Sequence, residues 1–181
     1  MTVNITFALI DQLMDIAQQA GARILEIRDA GVKVESKADK SPVTQADREA
    51  EEIIVQAIKQ DVGSAFPIVS EEAFSRGDAP EVAGAPFWLV DALDGTKEFI
   101  KGGVDFTVNI GLIEHTRPAL GVVHVPASKV TYWGSREGSY YLEAGAEPRR
   151  IACRTAPADG LVALVSRSHR TPEVDEFLAG L

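Results

Sequence analysis

Near the N-terminus the hydrophobic positions fall at Leu9, Leu13, Ile16, Ala17, Ala20, Ile24 and Ile27, steps that place them along one side of a helix. Gly31 predicts its stop. A second helix is predicted from Thr44, with Ala46, Ala50, Ile53, Ile54 and Ala57 as its apolar stripe and Asp47 three residues after Thr44, the spacing of a capping pair. Beyond Pro67 the pattern changes to short strand-like runs: 68–70, 87–90, 106–113, 119–125, 129–134, 139–142 and 150–153. Turn residues separate them at Gly102-Gly103, Arg117-Pro118, Pro126 and Glu137-Gly138, and 78–86 reads as a surface loop.

Helices followed by consecutive strands predict an α+β layer with a largely antiparallel sheet. After Pro157 the run Leu161–Val165 predicts one more strand, and Pro172–Leu178 a short helix. These hold too little apolar surface for a core of their own. The expected organisation is therefore an N-terminal α+β metal-binding domain over 1–156 and the start of an incomplete C-terminal α/β domain over 157–181, the chain being a fragment of a longer protein.

Charge narrows the partners. The 181 residues carry a formal charge of −9, which argues against general attraction to nucleic acid. An anionic substrate would need local help, from metal ions or backbone N–H groups. One cysteine, Cys153, excludes an intrachain disulfide and fits a reducing compartment. Asp11 and Asp15 break up the N-terminal apolar positions, so no signal peptide is predicted, and no apolar run is long enough to span a bilayer.

The densest chemistry runs from Val90 to Phe99. A hydrophobic strand ends in Asp91, Asp94 follows, and Gly95-Thr96 lead into a short helix. Carboxylates so close repel one another unless a hard cation lies between them, and Mg²⁺ takes carboxylate, carbonyl and water oxygens. The Leu93 carbonyl could complete such a set, and Gly95 lets main chain approach a phosphate. An Asp-x-x-Asp-Gly turn with aspartate as a helix cap explains the hexapeptide equally well. Glu71-Glu72 also follow a strand-like run, though such a pair is ordinarily solvated, and Asp47 has its capping role.

Taken in order, the segments 37–47 (Lys-Ala-Asp-Lys-Ser-Pro-Val-Thr-Gln-Ala-Asp), 69–72 (Val-Ser-Glu-Glu) and 88–99 (Trp-Leu-Val-Asp-Ala-Leu-Asp-Gly-Thr-Lys-Glu-Phe) resemble the inositol monophosphatase superfamily. Within it, Lys97–Lys101, Phe106–Ile110 and Gly121–Val123 look most like the CysQ-type 3′(2′),5′-bisphosphate nucleotidases. The resemblance implies a layered α/β sandwich of the sugar-phosphatase type and a Mg²⁺-dependent phosphomonoesterase using two or three ions. Glu71, Asp91, the Leu93 carbonyl and Asp94 then correspond to metal ligands. Asp47 and Thr96 correspond to the pair that prepares water, with Glu71 counted on the catalytic side too. Asp94, Gly95 and Thr96 fall on the phosphate side, and Ser166 and His169 where the nucleotidase branch contacts its nucleotide.

The implied reaction is hydrolysis of adenosine 3′,5′-bisphosphate to AMP and phosphate, linked to sulfate assimilation, in the cytoplasm. Peripheral association with the inner face of the membrane and a homodimer are left open. The alternatives are an inositol monophosphatase and a non-catalytic metal- or nucleotide-binding protein. Two departures stand out: Ala92 replaces the family's usual proline, and the family's later Trp-Asp motif has no counterpart before Leu181, so little activity is expected of the chain by itself.

Overall fold

The computed structural model describes residues 4–36, 42–166 and 170–180. Helix α1 (Phe7–Ala30) starts where the Thr6 hydroxyl accepts the Leu9 N–H at 3.2 Å, and Gly31, with φ +99°, ends it as the sequence predicts. Helix α2 (Gln45–Ala57) opens on a complete capping box formed by Thr44 and Asp47, then widens into a π-helical turn over Ile58–Val62. Before it, β1 (Val34–Ser36) and β2 (Pro42–Thr44) form an antiparallel pair that the sequence reading did not foresee.

The remaining strands are β3 (Ile68–Ser70), β4 (Phe87–Asp94), β5 (Thr107–Glu114), β6 (Arg117–Val125), β7 (Val130–Ser135), β8 (Gly138–Glu143) and β9 (Arg149–Ile151). They lie side by side in chain order, antiparallel except for the parallel pair β3–β4. Between these two strands runs a six-residue helix, α3 (Glu71–Arg76), and after β4 comes α4 (Thr96–Ile100). Helix α1 packs on β5 and β6, and α2 on β4. Alternation supplies most of the sheet's share of the core: Trp88 and Val90, then Val108, Ile110 and Leu112, then Leu120 and Val122 are buried. Each of the aliphatic side chains among these contributes about 1.5–3 kcal/mol by burial. Leu89, Val123 and Tyr132 alternate with buried neighbours and are exposed.

The β5–β6 turn sits earlier than Arg117-Pro118. Glu114 pairs with Arg117, so the turn residues are His115 and Thr116, both at positive φ, the two-residue geometry whose twist suits a hairpin. Pro118 lies inside β6, next to the register shift at Leu112/Ile113, where a missing N–H is tolerated.

His124 is structural. It is buried, its Nδ1 lies 3.0 Å from Thr131 Oγ1 across the strand pair, and burial holds its pKa below the usual value. Its ring fills the space beside Gly21 of α1, where an added Cβ would come within 2.7 Å of His124 Cδ2 and 3.0 Å of Pro126 Cγ. Gly21→Ala is expected to cost about 1–3 kcal/mol, because helix propensity gains less than the overpacking loses. Chemical denaturation checks this; an unchanged midpoint would mean that the helix shifts freely on the sheet.

The chain divides into two compact units, 1–151 and 152–181. In the second, α5 (Pro172–Ala179) forms where a helix is predicted, with proline in its first turn and no buried residue. The strand predicted over Leu161–Val165 does not form. Those residues are irregular, and Leu161, Val162, Leu164 and Val165 are exposed. An apolar run becomes a strand only beside a partner, and no described residue of 152–181 is in a strand. No described helix is long and apolar enough to cross a membrane.

Candidate active site

Two neighbouring strands that run the same way end at the same edge of a sheet, and this brings the first two carboxyl groups together. Ser70 of β3 lies beside Val90 of β4, so the next residues, Glu71 and Asp91, follow at one level. Their side chains hydrogen-bond. Burial, then the charges of Glu71 and Asp94, then the hydrogen bond to Glu71 push the Asp91 carboxyl up to about 7. Two carboxyl groups that repel one another as anions therefore lie side by side at this strand edge.

Past Asp91 the strand changes register. Asp91 pairs with Asn109 but Asp94 with Thr107, so β4 carries one extra residue. This bulge buries Ala92 and Leu93 in succession, which alternation alone forbids. Asp91 Oδ1 braces it by accepting the Leu93 N–H at 3.2 Å. Gly95 turns the chain at φ +95°, and a Cβ there would lie 2.6 Å from the Asp105 carbonyl oxygen and 3.1 Å from Phe106 Cα. No other residue type fits. Phe99 of α4 packs edge-on against Phe106, 5.3 Å between centroids, and anchors the turn to the core.

Thr96 opens α4 with its hydroxyl 3.0 Å from Asp47 Oδ1 and 3.1 Å from the Leu93 carbonyl oxygen. Having one proton, it donates to one of them at a time. Asp47 Oδ2 accepts from the Thr44 N–H at 2.7 Å and the Thr44 hydroxyl at 2.6 Å. Asp47 is only 3% exposed, and burial outweighs these hydrogen bonds to raise its pKa. A capping residue at the foot of α2 is therefore also a buried carboxyl group hydrogen-bonded to Thr96.

The structure thus brings Glu71 to Asp91, and Thr96 to both Asp47 and the Leu93 carbonyl. Asp94 is exposed and reaches Asp91 through its charge. Among the described residues, no group of three or more His, Cys, Asp and Glu side chains is placed to hold a metal ion by itself. Ser166 belongs to the unit 152–181 and is exposed, and His169 lies outside the described residues. The sequence reading missed Glu51, whose Oε2 accepts the Glu72 N–H at 3.1 Å. Its signal was an acidic residue four positions after Asp47, hence on the same side of α2.

Residues 8–181 match the inositol monophosphatase family. The chain belongs to that family. Among its members, the 3′(2′),5′-bisphosphate nucleotidase CysQ of Escherichia coli K12 is 41% identical over 176 residues, covering 96% of this chain and 69% of that protein. The nucleotidase CysQ of Salmonella typhimurium is 38% identical over 175 residues, again 69% of its length. Of solved family structures, CysQ from Bacteroides thetaiotaomicron superposes with a TM-score of 0.75 at 34% identity, covering 98% of this chain and 69% of that one. The Thermotoga maritima inositol monophosphatase gives 0.65 at 28% identity over 77% of this chain.

Proposed function

We propose that the protein is a 3′(2′),5′-bisphosphate nucleotidase that hydrolyses adenosine 3′,5′-bisphosphate to AMP and phosphate in sulfate assimilation. The observation that carries the substrate class is the 41% identity to a named bisphosphate nucleotidase over 96% of this chain. The inositol monophosphatase structure of Thermotoga maritima is less similar, at 28% identity.

The donor set fits a hard divalent cation: oxygen atoms only, with Asp91 held above its usual pKa by burial and by the charges of Glu71 and Asp94. Glu71, Asp91, the Leu93 carbonyl and Asp94 would hold Mg²⁺. When bound, Mg²⁺ supplies the positive charge that offsets the phosphate and makes nearby water more acidic. The chain's own residues handle the proton. The Thr96 hydroxyl accepts it from the attacking water and passes its own to Asp47 Oδ1, while Oδ2 stays fixed by the two Thr44 donors. As the water oxygen bonds to phosphorus, the bond to the 3′ oxygen breaks in line, and solvent protonates the leaving alkoxide. The N–H groups that open α4 after Gly95 would bind phosphate oxygens in this reading. The reaction belongs to the cytoplasm, with Cys153 a free, exposed thiol.

The test compares Mg²⁺-dependent phosphate release from adenosine 3′,5′-bisphosphate and from inositol 1-phosphate by the full-length protein. The nucleotide is expected to win in kcat/KM. Preference for the inositol ester would move the protein to the other branch, and binding without turnover would make it a non-catalytic receptor. Thr96→Val should lower kcat about 10²–10³-fold at little change in KM, and Thr96→Ser should recover most of it. Near-parental kcat in Thr96→Val would remove the hydroxyl from the proton path.

A further inference from the structure

Asp47 and Glu51 stand four residues apart on α2, on successive turns of one face. Asp47 holds Thr96, at the start of α4. Glu51 holds the other half of the site: its Oε2 accepts the Glu72 N–H at 3.1 Å, and its Oε1 lies 3.6 Å from the guanidinium of Arg76. These contacts fall in the first turn and on the last residue of α3. The Glu72 N–H belongs to the peptide unit that joins Glu71 to Glu72, so fixing it fixes the backbone from which the Glu71 side chain departs.

The six residues of α3 are too few to be stable alone, and its N-cap contact, Ser70 Oγ to the Ala73 N–H, is long at 3.4 Å. Something else must set its pose. Glu51 is nearly buried, and it brings a negative charge to a turn that already carries Glu71 and Glu72. The carboxylate accepts that N–H at the positive end of α3 and faces the Arg76 guanidinium, so it ties α3 to α2 by a hydrogen bond and by charge. Its carboxylate reaches the Glu72 N–H with one oxygen and, with the other, the Arg76 guanidinium, which also pairs with Asp78 at 3.5 Å.

We infer that Glu51 is a positioning residue: it clamps α3 at both ends and so aims Glu71 at the Asp91 carboxyl group, where the metal would bind. The inference rests on the metal site proposed above. One face of α2 then aligns both arms of the site, Thr96 through Asp47 and Glu71 through Glu51.

The experiment measures Mg²⁺ affinity by titration calorimetry, together with amide hydrogen exchange at Glu72 and the thermal midpoint of the metal-free full-length protein. Glu51→Ala is expected to weaken Mg²⁺ binding about tenfold and to speed exchange at Glu72. Glu51→Gln keeps an oxygen that can accept, so it should stay within about threefold of the parent in affinity, with a similar metal-free midpoint. If Glu51→Ala does not fold, Glu51→Asp, one methylene shorter, takes its place, with the same two losses in smaller measure. Parental affinity in a folded Glu51→Ala or Glu51→Asp variant overturns the inference, and so does a loss in Glu51→Gln as large as in Glu51→Ala. A parent that binds no Mg²⁺ overturns it too, and marks the failure as that of the metal site; a parent that binds while the alanine variant binds equally well marks it as Glu51's alone.

Discussion

Asp91→Asn is expected to make the metal-free protein more stable while reducing turnover at least about 10³-fold. The two effects have one cause. Asp91 is held at about 7 in the fold by burial and by Glu71 and Asp94, whereas an unfolded aspartate titrates near 4. The folded state therefore binds more protons between these values, and its stability falls as pH rises from about 4 through 7. Asparagine removes that slope. Above pH 7 the gain is about 1–2 kcal/mol, discounted for the solvent that reaches the site, or roughly 2–6 °C in Tm. The same variant should lose the stabilisation that saturating Mg²⁺ gives the parent, about 2.7 kcal/mol at one hundred times Kd. Asp94→Asn, at an exposed position, should share the loss of turnover with little change in the metal-free Tm. Thermal melts at pH 5 and pH 8, with EDTA and with Mg²⁺, check all of this. A metal-free Asp91→Asn protein less stable than its parent at pH 8 would show that the carboxyl group is favourably paired and not strained.

Gly95→Ala should be the most damaging single-methyl change in the site. The new Cβ would need φ +95° and would sit 2.6 Å from a backbone oxygen, which cannot swing aside as a side-chain tip can. The expected cost is about 3–5 kcal/mol, or roughly 10 °C in Tm, with activity lost even where the protein still folds. Circular dichroism melts with phosphate-release assays on the same sample separate the two losses. A midpoint within a degree of the parent would mean that the 95–106 contact is looser than the structure has it.

Those residues were legible in the sequence to unequal degrees. Helices α1 and α2 announce themselves because three-and-four spacing and a Thr-x-x-Asp cap are local properties. The strands were found to within a few residues for the same reason. Local pattern does not name partners, which is why Leu161–Val165 reads as a strand and is none, and why the three-residue β1 and β2 were overlooked. Helix α3 is too short for a period, although Ser70 followed by Glu71 and Glu72 has the chemistry of a helix start. That Glu71 meets Asp91 depends on β3 and β4 being parallel, and the consecutive burial of Ala92 and Leu93 on the bulge. Neither is written in the hexapeptide itself. Of the double use of Asp47, as cap and as partner of Thr96, the sequence shows only the first half, because Thr96 lies 49 residues further along the chain.

The parallel pair has a consequence for how this protein can change. Glu71 and Asp91 are matched through three rungs of β3 and β4, so the stretch between the strands can vary in length without disturbing the match. A tag or a few inserted residues among positions 79–85 should leave the carboxyl pair intact, whereas deleting one residue within 68–70 would slide Glu71 along the sheet by about 3.3 Å.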